Sequence, residues 1–100
     1  MKIEIGENIL ELEYTVNAIC DLEEMRKQSV DVLLSKPGMT SVRDLLWAGL
    51  IEKKPNITVK QAGAYMNTFL KTNEIKDLLD LISQAIEEAG FLAAQGKKKK

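Results

Sequence analysis

Histidine is absent from these 100 residues, and cysteine occurs once, at Cys20. A single thiol cannot form an intrachain disulfide. Neither a Cys/His zinc site nor a His-activated nucleophile can be assembled from this inventory. Most familiar catalytic chemistry is excluded, and the chain reads as a non-enzyme with no cofactor and no bound metal. Nor does any apolar run approach the roughly twenty residues needed to span a bilayer. The opening Met1 to Glu7 alternates charged with apolar residues and lacks the continuous apolar stretch of a signal peptide. The expectation is a cytoplasmic, reducing location, which suits a lone cysteine, and no membrane partner.

What is present is the mixture of a soluble globular chain: 45% hydrophobic and 29% charged residues, enough for one small domain. A domain of this size is marginal, so support from a partner or from self-association into a homo-oligomer is expected. The charge is unevenly placed. Lys97 to Lys100 hold four of the fourteen basic residues, leaving ten Lys and Arg against fifteen Asp and Glu in residues 1 to 96, a body charge of about −5. An acidic body repels phosphate backbones, and no nucleic-acid partner is expected.

The pattern predicts an α+β fold, an N-terminal two-stranded β-hairpin packed on a bundle of about four to five α-helices. Ile3 and Ile5 alternate with Lys2 and Glu4, Gly6-Glu7-Asn8 supplies a turn, and Leu10, Leu12 and Tyr14 alternate with Glu11 and Glu13. From Thr15 the period becomes helical. Thr15 caps a first helix expected to turn Val16, Ile19, Cys20 and Met25 inward, with Asp21, Glu23, Glu24, Arg26 and Lys27 facing water. Val30 to Leu34 makes one or two helical turns after Ser29, and Lys36-Pro37-Gly38 interrupts them.

A third helix, capped by Thr40 or Ser41, carries Val42, Leu45, Leu46, Gly49 and Leu50 on one stripe. Gly49 there costs about 1 kcal/mol relative to Ala, which a close helix crossing would compensate. Thr58 and Gln61 form a capping box for a fourth helix with Val59, Ala62, Met66, Phe69 and Leu70 inward. A fifth starts at Thr72 or Asn73, buries Ile75, Leu78, Leu79, Ile82, Ala85, Ile86 and Ala89, and ends at Gly90. The predicted globular domain spans 1–94, with the hairpin over 2–14 and the helices over 15–92, and residues 95–100 form a disordered lysine tail.

Candidate chemistry is sparse. The carboxylate pairs Glu23 with Glu24, Asp77 with Asp80 and Glu87 with Glu88 fall on polar helix faces, where a solvated surface explains them. They lack the spacing of an oxygen cage for calcium. Cys20, beside the apolar stripe of the first helix, reads as a small buried hydrophobe, with a reactive thiol as the alternative. Gly38, Gly49, Gly63 and Gly90 do not have the spacing of a phosphate-cradling loop. The two helices flanking Pro55-Asn56 resemble the start of a helix-turn-helix. The helix that would enter a groove carries Glu74, Asp77, Asp80, Glu87 and Glu88 against Lys76, the wrong charge for DNA.

Trp47, with Ile51 one turn later, forms either a second core face or an exposed anchor for a partner. Phe91 and Leu92, beyond the last cap, either dock on the core or remain available to a partner. These four residues are the candidate partner-binding positions.

The segment Asp44-Leu45-Leu46-Trp47-Ala48-Gly49-Leu50-Ile51, followed by Pro55-Asn56-Ile57-Thr58 and the next helix, resembles the tail assembly chaperones of long-tailed bacteriophages, prophages and gene transfer agents. The likeness covers roughly residues 1 to 70 and includes the leading hairpin and the Leu- and Glu-rich helix after it. It implies a non-catalytic role in virion morphogenesis in the cytoplasm of the bacterial host. Such a protein coats the tape measure protein, recruits tail tube protein, and is absent from the mature virion.

Gly96 and the four lysines after it require an adenine-rich message, the kind that supports the translational frameshift of many such chaperone genes. A solubilising or anion-binding lysine tail, or a truncation scar, explains the same residues. Two other readings remain at this level, a small helix-turn-helix DNA-binding regulator and a structural head-tail adaptor of the virion.

Overall fold

Alternation of apolar and charged residues produces the hairpin first. The computed structural model describes residues 1–90. Strands β1 (Lys2–Ile5) and β2 (Asn8–Glu11) pair antiparallel with Ile3 opposite Leu10 and Ile5 opposite Asn8. Gly6, at φ 62°, occupies the first position of the two-residue turn, a conformation that residues with a Cβ rarely adopt. Ile3, Ile5 and Leu10 are buried on one face, and the charged Lys2, Glu4 and Glu11 take the other. The chain stays extended past β2, and Leu12 and Tyr14 keep the same inward phase.

Five helices follow: α1 (Val16–Arg26), α2 (Val30–Ser35), α3 (Met39–Leu50), α4 (Val59–Phe69) and α5 (Ile75–Ala89). The order of elements is the α+β hairpin-and-bundle arrangement that the periodicity predicts. Helix α3 is the axis of the molecule, packing against α1, α2, α4, α5 and β2, while α4 also supports β1. Its stripe of Val42, Leu45, Leu46 and Leu50 is fully enclosed, each such side chain contributing about 1.5–3 kcal/mol of apolar burial. Ser41, Asp44, Ala48 and Gly49 are buried as well, so the helix is covered on most of its circumference.

Gly49 compensates its helix cost differently from expectation. What approaches it is not another helix but the extended segment after β2. A Cβ at residue 49 would lie 2.6 Å from Tyr14 Cζ and Oη and 2.8 Å from Leu12 Cδ2. The same approach lets Glu13 N–H donate to the Gly49 carbonyl at 2.8 Å and Tyr14 Oη–H to the Leu45 carbonyl at 2.6 Å. The hairpin is thus tied to α3 by hydrogen bonds as well as by packing.

Three local expectations are corrected. In α1 the inward residues are Ala18, Ile19 and Leu22, whereas Val16 is 59% exposed, Met25 41%, and Cys20 is also exposed. The helix is rotated so that small Ala18, then Leu22 and Arg26 at successive i+4 positions, lie along one line. Arg26 and Glu23 are accordingly half-buried instead of solvated. Second, α3 begins at Met39 with Gly38 as its N-cap, and Ser41 is buried and accepts a hydrogen bond from Arg26 Nη2 at 3.4 Å.

Third, α5 begins after Glu74, whose N–H is capped by the Asp77 carboxylate at 2.9 Å. Asn73 instead donates to the Phe69 carbonyl at the end of α4. The remaining caps follow expectation. Thr58 and Gln61 exchange 3.0 Å bonds in the capping box, and Gly90 ends α5 at φ 87°.

Candidate functional site

The loop between α3 and α4 folds back on itself, with Lys54 N–H donating to the Leu50 carbonyl and Ile57 N–H to the Lys54 carbonyl, both at 2.9 Å. Trp47 fixes the far end of that loop. Its indole Nε1–H donates to the Ile57 carbonyl at 3.1 Å, while the ring packs against the core. With the capping box orienting the first turn of α4, the loop stands as one wall of a groove whose other sides are α4 and the hairpin tip. The groove has a volume of about 550 Å³ and is lined by Asn8, Pro55, Ile57, Ala64, Tyr65 and Thr68 among others, with Lys54 the only charged lining residue among the described residues. Ile57 and Tyr65 are half-buried and present apolar surface there.

Trp47 and Ile51 are one turn apart at the end of α3, the Ile51 N–H donating to the Trp47 carbonyl at 3.1 Å. Both are half-buried and neither lines the groove, so Trp47 holds the groove wall from behind. Phe91, Leu92 and the lysine tail lie outside the described residues. Ala64, Tyr65 and Thr68 were not singled out by periodicity. They occupy the flank of α4 beside the buried Ala62, Met66 and Phe69, and an aromatic at such a border was the available signal.

The second polar feature is internal. Asp44, 2% exposed, receives Arg26 Nη1 at 3.1 Å and Arg43 Nε at 3.0 Å. These are the only two arginines of the chain, and both are committed to this one carboxylate. Arg26 Nε is buried without a hydrogen-bond partner among the described residues. The pair joins α1 to α3, a structural role consistent with a carboxylate fully occupied by cations. At the open end of the hairpin, the Met1 ammonium donates to Glu11 at 2.8 Å and holds that carboxyl below its usual range, partly opposed by desolvation. Burial pushes the Tyr14 hydroxyl well above its ordinary value of 10.0.

Of the acidic pairs, Glu23 accepts the Val30 N–H at 2.7 Å and so caps α2, and Asp77 caps α5. Asp80, Glu87 and Glu88 are exposed on α5, and no cluster of metal-ligating side chains occurs among the described residues. No helix among them is long and apolar enough to cross a membrane. Compared with family models, curated proteins and solved structures, the chain matches none.

Proposed function

We propose that this protein is a tail assembly chaperone of a phage or prophage, which binds the tape measure protein and recruits tail tube subunits in the host cytoplasm without catalysis. The observation that carries the reading is the groove between the hairpin tip and α4. It is open, half apolar and nearly uncharged on a body that is otherwise acidic. Such a surface receives an apolar side of a helical client while the surrounding charge keeps the chaperone soluble. Ile57, Ala64 and Tyr65 would contact the client, and Trp47 would hold the wall through its bond to Ile57. The sequence resemblance supports the tape measure protein as the client, and the groove supports this face as the binding surface.

The test is co-expression of the full chain with a candidate tape measure protein from the same genome, followed by capture and by soluble yield of the client. The expected result is a soluble complex that Ala64→Arg disrupts, because position 64 is exposed and an arginine there fills the groove with little effect on folding. Failure to capture the tape measure or tail tube protein, together with salt-sensitive binding of duplex DNA, would replace this reading with a regulatory one. Recovery of the chain in purified particles would replace it with a structural adaptor.

A further inference from the structure

We infer that the free edge of β1 pairs two copies of this chain into a symmetric dimer with a continuous four-stranded sheet. The inference goes beyond the proposed client binding and does not depend on it. In an antiparallel ladder, alternate residues turn their N–H and C=O toward the partner strand. Leu12 N–H donates to the Met1 carbonyl at 2.8 Å, which marks Met1 with Leu12 as a bonded pair and, in the observed register, Ile3 with Leu10 and Ile5 with Asn8 as well. Lys2 and Glu4 therefore direct their backbone groups away from β2, and these groups have no partner among the described residues. The outer edge of β2 is less available, because the chain leaves it at Glu13 to bond the Gly49 carbonyl of α3.

Side-chain charge selects the occupant and the register. A two-fold axis perpendicular to the sheet at Ile3 sets Lys2 opposite Glu4 of the second copy, and Glu4 opposite its Lys2, with each pair exchanging two backbone hydrogen bonds. Across the solvent face this aligns Glu11, Lys2 and the second copy's Glu4 in alternating sign, since Lys2 already lies opposite Glu11 within the hairpin. Sliding the register by two residues either way places Glu4 against Glu4 or Lys2 against Lys2, and like charges directly opposite are destabilising. The strand is thus self-complementary in one register, as an isologous interface requires. Both helical layers would lie on the same side of the joined sheet, with the α4 that supports each β1 near the seam.

Sedimentation equilibrium of the full chain up to about 1 mM tests this, since four-residue edges make a weak contact. Glu4→Lys is expected to weaken dimerisation about tenfold, because symmetry turns two attractive pairs into repulsive ones. Adding Lys2→Glu to that variant should recover most of the loss. In the wild type, the Glu4 amide should gain hydrogen-exchange protection as concentration rises, whereas the Ile9 amide, on the outer edge of β2, should not. A chain that stays monomeric, a dimer with an unprotected Glu4 amide, or Glu4→Lys dimerising like wild type would each overturn the inference.

Discussion

Gly49→Ala separates two forces that act in opposite directions. Position 49 lies inside α3, where Ala is favoured over Gly by about 1 kcal/mol on helix propensity alone. The structure sets against this a methyl group 2.6 Å from the Tyr14 ring and 2.8 Å from Leu12, both of which are buried with nowhere to retreat. Overpacking of this kind costs about 1–3 kcal/mol. Displacing Tyr14 also lengthens its hydrogen bond to the Leu45 carbonyl, worth about 0.5–1.5 kcal/mol. The net expectation is destabilisation by about 2 kcal/mol, or a fall in Tm on the order of 10 °C for a domain of this size.

Gly63→Ala in α4 is the control. Its Cβ would meet Arg43 Cδ at 3.3 Å, a flexible side chain that can yield, so a gain of about 0.5 kcal/mol is expected. Urea unfolding followed through Trp47, the sole tryptophan, measures both. A Gly49→Ala protein as stable as wild type, with Gly63→Ala behaving as stated, would refute the claim that α3 and the Leu12–Tyr14 segment are in obligatory contact.

Asp44→Ala strands two guanidinium groups and should cost about 2 kcal/mol in urea unfolding, less than a fully enclosed pair would, because the Arg43 side chain is 39% exposed. The Tyr14 hydroxyl has a raised pKa in the folded state, so its contribution is intact below pH 10 and is lost as pH rises beyond the unfolded value. Tyr14→Phe should flatten that alkaline decline in stability, and an unchanged profile would count against a buried hydroxyl. Cys20, being exposed, should react with a thiol reagent as fast in the folded protein as in urea, whereas a large protection factor would restore the buried position that the sequence pattern indicated.

Sequence alone determined those elements in which local chemistry has one solution. A period of two around Gly6 made a hairpin, and Thr58 with Gln61 fixed the start of α4. The stripe of Val42, Leu45, Leu46, Gly49 and Leu50 gave α3 its buried face, whereas its central position, with Ser41, Asp44 and Ala48 buried as well, came from packing. The rotation of α1 was not legible, since its apolar residues are scattered enough that Val16, Cys20 and Met25 match a buried stripe as well as Ala18, Ile19 and Leu22 do. Contact with α3 chose between them, and the Arg26 to Asp44 ion pair lies on the chosen line.

The partner of Gly49 was equally hidden, because a missing Cβ records that something approaches and not what. Trp47 illustrates the same limit at the candidate site. Its position on the helix left core and anchor open, and only the loop returning through Ile57 gave its indole N–H a partner and made it the support of a groove. Spacing along one helix is set by covalent geometry, so sequence contains it. Which surface meets which depends on the simultaneous burial of several elements, and that is decided only when they pack.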